Sequence, residues 1–223
     1  MKKLYQQFMQ FILAKPDGPE ALDMAMENLM EKAQSGDANA EYEIGRRYFV
    51  GEYYHQDIPA GLRWLELAAK QHHIEAQSLL CQYYYPRLNI YPNYTEAVIN
   101  WSAQAAHRQD IESLAIWGEI LITGLGSQTA SADCIFYLQK AANQHHLRAS
   151  YLLGTLYLHG KWVAQDLEKA RYWIERTAKQ DYIPSQQILS DMYRQGIGVS
   201  QSTTEADFWQ KQWEKSQQTK EST

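Results

Sequence analysis

Ala149-Ser150-Tyr151-Leu152-Leu153-Gly154-Thr155-Leu156-Tyr157-Leu158-His159-Gly160, continued by Trp173 and Thr177-Ala178, reads as two short helices joined by a turn. A glycine inside a helix sacrifices ~1 kcal/mol of helix propensity, so Gly154 is expected where a second helix must approach closely. Gly160 suits the left-handed residue that ends a helix. Trp173 is the large aromatic of the unit; such a side chain buries ~150–250 Å² and can fill the wedge between paired helices.

Working outward, the same features return along the chain. Large aromatics stand at Trp64, Trp101, Tyr137, Trp173 and Trp209, spaced 37, 36, 36 and 36 residues. Small residues open the first helices at Ala40, Ala76, Ser113, Ala149 and Ser185, and the pairs Ile44-Gly45, Leu80-Cys81, Trp117-Gly118, Leu153-Gly154 and Leu189-Ser190 come after them. Tyr48, Tyr84, Leu121, Tyr157 and Tyr193 are next, and Gly51, Gly124, Gly160 and Gly196 close the helices. Asp57, Asp166 and Ser202, the last with Glu205 three residues on, suit the caps of second helices. One such unit cannot bury both its faces, so the units must stack.

Upstream, Leu4, Phe8, Phe11 and Ile12 share one face of a helix that should stop near Lys15-Pro16-Asp17-Gly18 and cover the first repeat. A second helix runs from Glu20 to Gln34 through Leu22, Met26, Leu29, Met30 and Ala33, and Ser35-Gly36-Asp37 ends it. The expected layout is N-terminal capping helices at 1–34, then five repeats at about 35–70, 71–106, 107–142, 143–178 and 179–215, then a flexible tail at 216–223.

Composition narrows the function. The chain is 45% hydrophobic and 21% charged, which is globular rather than disordered. A net charge of −5 without a long basic run argues against nucleic acid as the main partner. Cys81 and Cys134 form no C-x-x-C and read as small buried residues in a reducing compartment. No apolar run approaches the ~18 residues of a membrane span. Met1-Lys2-Lys3 resembles a signal-peptide start, but Gln6, Gln7 and Gln10 interrupt the apolar stretch behind it, so the expected compartment is the cytoplasm. No feature sets an oligomeric state, and a monomer is the default.

Candidate chemistry is sparse. His72-His73 and His145-His146 occupy matching positions 73 residues apart, two units of the array. At ~8–10 Å per helix layer they are too distant for one ion, and they read as helix-ending turn residues rather than metal ligands. H-E-x-x-H, G-x-S-x-G, Walker and Rossmann patterns do not occur. Gly124-Leu125-Gly126 and Gly196-Ile197-Gly198 are repeat turns, since no G-K-[ST] comes after either. No catalytic residue, cofactor or metal site is expected.

The pattern A-x-x-x-L-G-x-x-Y-x-x-G, then V-x-Q-D-x-x-K-A-x-x-W and A-A, resembles the Sel-one-like repeat, a longer relative of the tetratricopeptide repeat. Residues 143–178 match best, with Val163, Gln165, Asp166, Lys169, Ala170 and Trp173 in place. The resemblance covers roughly 35–213. It implies an all-α fold, a right-handed superhelical α-solenoid of antiparallel helix pairs, serving as a non-catalytic protein-binding scaffold. There are departures. Of the glycines that precede each first helix only Gly36 survives; His72, Gln109, His145 and Asp181 replace the others. The second unit has Cys81 and Arg87 for glycine, an extra residue, and the run Tyr83-Tyr84-Tyr85-Pro86 followed by Tyr91-Pro92-Asn93-Tyr94, so a reshaped loop is expected there. Some cysteine-rich members of this repeat family are linked to β-lactam binding or hydrolysis; this chain lacks their paired cysteines. Stand-alone bacterial members sometimes act as immunity proteins against toxins, and an adaptor or dedicated-inhibitor role fits the same surface.

In this repeat class the first helices line a concave groove. With Ile44, Gly45 and Tyr48 in the core, Tyr42, Arg46 and Phe49 face the groove. The matching sets are Ser78, Gln82 and Tyr85; Ala115, Glu119 and Ile122; Tyr151, Thr155 and Leu158; and Gln187, Asp191 and Arg194. Aromatics and arginines of this kind favour a protein or peptide partner. Tyr53, Tyr54, Tyr91 and Tyr94 offer an alternative contact surface on the connecting loops.

Overall fold

A computed structural model of the chain describes residues 20–52, 55–126 and 130–221. The predicted helix around Leu4–Ile12 and the loop residues Tyr53 and Tyr54 lie outside them. Eleven α-helices occupy the described residues: α1 (Glu20–Gln34), α2 (Ala38–Val50), α3 (Ile58–Lys70), α4 (Ile74–Tyr84), α5 (Thr95–His107), α6 (Ile111–Thr123), α7 (Cys134–Asn143), α8 (Leu147–His159), α9 (Leu167–Ala178), α10 (Ile183–Gln195) and α11 (Thr203–Glu221). The chain divides into two compact units, Met1–Ala76 and Gln77–Thr223, with the division in the first turn of α4.

Four of the five first helices begin with a side-chain cap, and four end in a left-handed glycine. Asp37 and Asp110 accept the N–H groups of Ala40 and Ser113, at 2.9 and 2.8 Å, capping α2 and α6. His73 and His146 do the same through Nδ1 for Ala76 and Ala149, at 3.3 and 3.1 Å. The paired histidines therefore split their work. The first of each pair, His72 or His145, takes a positive φ of 62° or 66°, and Gln109 and Asp181 do likewise at 67° and 58°. This is the left-handed residue of the helix end, carried without glycine. Gly51, Gly124, Gly160 and Gly196 close α2, α6, α8 and α10 in the same conformation.

Turns between the paired helices are tied by a recurrent glutamine. The amide groups of Gln56, Gln165 and Gln201 donate to the carbonyls of Phe49, Leu158 and Arg194, at 2.9, 2.8 and 2.9 Å. Asp57 and Asp166 then cap α3 and α9, and the Ser202 hydroxyl accepts from the Glu205 N–H. In the second repeat two 3-10 turns, Tyr85–Arg87 and Pro92–Tyr94, replace this arrangement.

The seam between paired helices explains the small residues. A Cβ on Gly118 would lie 2.8 Å from Leu138, and one on Gly154 would lie 2.8 Å from Ile174. Where the seam residue is larger it bonds across instead. The Cys81 thiol donates to the Val98 carbonyl at 3.6 Å, and the Ser190 hydroxyl to that of Ala206 at 2.8 Å. In the N-terminal unit Met30, Ala33, Ala40, Ile44 and Tyr48 form the core, with Leu29 and Trp64 against it. In the C-terminal unit one apolar cluster runs from Ala106 to Trp173 and another from Ile174 to Trp209. Trp173 and Trp209 are buried, whereas Trp64, Trp101 and Tyr137 are half-covered.

Residues 216–221, expected in a flexible tail, are the last turns of α11. The stretch Trp213–Glu221 contains no glycine or proline to stop a helix, and Gln, Lys and Glu favour one.

Candidate protein-binding surface

The first-helix row differs between the two units. In the N-terminal unit Tyr42 stacks on His73 with ring centroids 4.6 Å apart. Burial raises the Tyr42 phenol's pKa, against the nearby charge of Arg46. Arg46 pairs with Glu43 at 3.2 Å and Glu52 at 2.7 Å, and Arg47 pairs with Glu43 at 2.7 Å. Burial works to raise the Glu43 pKa, but the hydrogen bonds and charges of Arg46 and Arg47 outweigh it and hold the carboxyl below its ordinary range. Phe49 is half-buried beside them.

In the C-terminal unit the row divides into residues that serve the array and residues that remain presented. Ser78 is buried, and its hydroxyl donates to Asp110 at 2.7 Å. Ala115 is buried too. Neither offers surface: Ser78 is tied to the cap of the following repeat, and Ala115 belongs to the apolar core. Gln82 is exposed and donates to the Ser78 hydroxyl at 3.3 Å. The Thr155 hydroxyl donates to the Leu152 carbonyl at 2.7 Å, and Ile122 and Leu158 pack against the core. Asp191 and Arg194 are exposed, with 3.8 Å between their charged groups.

A charged centre stands between these residues. The Glu119 side chain is only 8% exposed and is ion-paired by Nε of Arg148, whose own side chain is 54% exposed. Half-buried Tyr85 donates a hydrogen bond to the same carboxylate. Burial pushes the Glu119 carboxyl above its usual range, against the charge of Arg148 and the hydrogen bonds from Tyr85 and Arg148. Burial, then the charge and hydrogen bond of Glu119, drives the Tyr85 phenol far upward. Tyr151 and Tyr182 pair at 5.3 Å, and Tyr182 senses the charges of both Arg148 and Glu119. The 3-10 turn after α4, the helices α6 and α8, and the cap of α10 thus contribute to one locality.

Sequence reasoning missed Arg148 and Tyr182. Arg148 stands two residues after a first-helix cap, where the other repeats carry Asn39, Glu75, Glu112 and Pro184. It is the one cation of that column, and that reversal was the available signal. Tyr182 occupies the cap position itself and makes no side-chain cap. A second row also escaped sequence reasoning: Phe136, Tyr172 and Phe208, one residue before each large aromatic, are 55%, 55% and 50% exposed on α7, α9 and α11.

The loop tyrosines have structural work. Tyr94 stacks on buried Tyr84 at 3.8 Å, and Tyr91 meets Tyr84 edge-on at 5.6 Å. Among the described residues no group of three or more His, Cys, Asp or Glu side chains is arranged to hold a metal ion, and no helix is long and apolar enough to cross a membrane.

Five segments, 38–73, 74–108, 111–146, 147–182 and 183–209, match the Sel1 repeat. The chain belongs to the Sel1 repeat family. Each Sel1 segment begins one residue after the cap position, three or four residues downstream of the expected boundary. The c5321 protein, a protective antigen of uropathogenic Escherichia coli with an SLR fold, is 27% identical with a TM-score of 0.72, over 86% of this chain and 41% of that one. A Sel1 repeat protein from Oxalobacter formigenes shares the fold at 23% identity and TM-score 0.63, over 93% and 60%. NMB1327, an uncharacterized protein of Neisseria meningitidis, is 25% identical over 142 residues, 64% of this chain and 29% of that protein. The chain thus spans less than half the length of the Escherichia and Neisseria relatives. Its fold is an all-α solenoid of about five Sel1 repeats. Sel1 repeat proteins are generally non-catalytic scaffolds for protein interactions.

Proposed function

We propose that this chain holds a partner protein or peptide segment along its first-helix row, as an adaptor or dedicated inhibitor with no chemistry of its own. The observation that carries this reading is a cluster built on the Glu119–Arg148 pair, with Tyr85 bonded to Glu119 and Tyr182, ring-paired with Tyr151, close to both charges. Tyrosine and arginine are the side chains that most often dominate interface energetics, because each joins a rigid apolar body to a hydrogen-bonding tip. The regular positions of the repeat, by contrast, are spent on caps, turns and the helix seam.

Affinity purification from the native host, followed by titration of the purified partner, tests the reading. Tyr151→Ala should weaken binding by more than about 1 kcal/mol. Tyr172→Ala, on α9 and outside the row, should leave affinity unchanged. The opposite pattern moves the site to the second helices. Stoichiometry separates the roles: an adaptor binds two partners at once, whereas an inhibitor forms a tight 1:1 complex. An immunity protein is the case in which that single partner is a toxin.

A further inference from the structure

We infer that Arg148 is the anchor of this surface and that it takes a side-chain carboxylate from an acidic segment of the partner. The inference rests on the reading that the first-helix row binds a protein, and adds what that protein must present. Of the two charges in the pair, only the positive one is accessible: Glu119 is 8% exposed at its side chain and Arg148 is 54% exposed. A partner arriving here meets a guanidinium, while the compensating carboxylate lies beneath it, covered by Arg148 and hydrogen-bonded by Tyr85. Charge complementarity therefore selects an acid.

The geometry also orients that guanidinium. Glu119 engages the guanidinium at Nε, so the side chain is held from within the fold while about half of it stays in solvent. A planar fork fixed in this way suits bidentate pairing with a carboxylate, and little rotamer entropy remains to be lost on binding. Tyr182 lies within reach of the Arg148 charge, and its ring pairs with that of Tyr151, both half-buried. The acidic residue is thus expected within a segment carrying apolar or aromatic neighbours rather than in a run of acids alone. Tyr85 and Glu119 act as positioning residues, since they reach the partner through Arg148.

The test uses the full chain, immobilised, and random twelve-residue peptides displayed on phage with their C-termini fused to the coat protein, so that only side-chain carboxylates are available. Selected peptides should be enriched at least threefold in Asp and Glu at one position. Their synthetic forms should bind Arg148→Gln at least tenfold more weakly, with Arg148→Lys intermediate. Replacing the peptide's acid by its amide should abolish the difference between the wild type and Arg148→Gln. Arg148→Gln removes the counter-charge of buried Glu119 and is expected to melt below the wild type. A melting curve checks that each variant is folded at the assay temperature, and equal binding of the amide peptide checks that the surface is intact. Peptides lost on Tyr151→Ala but indifferent to Arg148→Gln overturn the inference and leave the binding surface standing. Peptides indifferent to both, or no selected binder, overturn both readings. Binders that appear only when a free C-terminus is displayed overturn the assignment to a side-chain carboxylate.

Discussion

Two clusters on first helices use the same chemistry in opposite ways. In the N-terminal unit Glu43 lies between Arg46 and Arg47, three and four residues along α2, and all three side chains remain partly in water. In the C-terminal unit Glu119 takes its arginine from the next repeat and its tyrosine from the previous one, and it is buried. The first arrangement is a local helix pair that any exposed helix could carry. The second exists only when three repeats are stacked. Interactions of the first kind steady a single helix, whereas those of the second kind report on the array and shape its surface.

The helix seams differ in a parallel way, and here the largest effect is expected. A Cβ on Gly61 would lie 2.8 Å from the Gly45 carbonyl oxygen and 2.8 Å from the Phe49 nitrogen, both backbone atoms that cannot step aside. Gly61→Ala should therefore destabilise the N-terminal unit by about 2–3 kcal/mol, despite the ~1 kcal/mol of helix propensity that alanine returns. Around Gly154 the obstacles are the Cδ1 and Cγ1 atoms of buried Ile174 at 2.8 and 2.9 Å and the Trp173 Cβ at 3.2 Å, side-chain atoms that yield by small shifts more readily than backbone does. Gly154→Ala should stay within about 1 kcal/mol of the wild type. Equal losses in urea titrations of the two variants would show that backbone contact is not what separates the seams.

Much of this architecture was legible in the sequence. The glycines, the tyrosines and the second-helix caps recur at fixed spacing because each answers a local demand of helix start, seam or stop. The two histidine pairs read correctly as turn residues, although capping by His73 and His146 needs a ring rotamer that spacing cannot show. The surface was less legible. Helical projection placed Ser78 and Ala115 in the row, but it takes no account of the neighbouring packing that buries both, Ser78 against the next repeat's cap and Ala115 within the apolar core. Arg148 was missed for the converse reason. Its importance lies in a partner 29 positions earlier, and no periodicity within a helix links the two.

Caps sharpen the contrast at intermediate size. Asp37 caps α2 at its edge, a bond at 2.9 Å confined to one repeat. Asp110 caps α6 and also accepts from the buried Ser78 hydroxyl of the preceding repeat. Asp37→Ala should cost about 1 kcal/mol, the usual loss of an N-cap. Asp110→Ala should cost about 2 kcal/mol, because it also leaves a buried hydroxyl without its acceptor. Thermal unfolding of the two variants would measure the gap. A double variant Asp110→Ala, Ser78→Ala that recovers part of the loss would assign the excess to the contact between repeats.

The smallest effect separates the two glutamates by sign. Glu43 is held below the ordinary carboxyl value of 4.5, so the unfolded chain binds more protons than the folded one in the window just under that value. Its stabilisation is complete above the window and is lost as pH falls through it. Glu119 is raised above 4.5, so in the window just over that value the folded chain binds more protons, and stability falls as pH rises through it. Each contribution should amount to about 1 kcal/mol or less, since both sites are partly compensated by arginine. Subtracting the stability of Glu43→Gln from that of the wild type across the acid range should give a difference that grows with pH. The same subtraction for Glu119→Gln should give one that shrinks. Both curves sloping the same way would mean that Arg148 governs Glu119 as Arg46 and Arg47 govern Glu43. Burial beneath the surface would then not set its protonation.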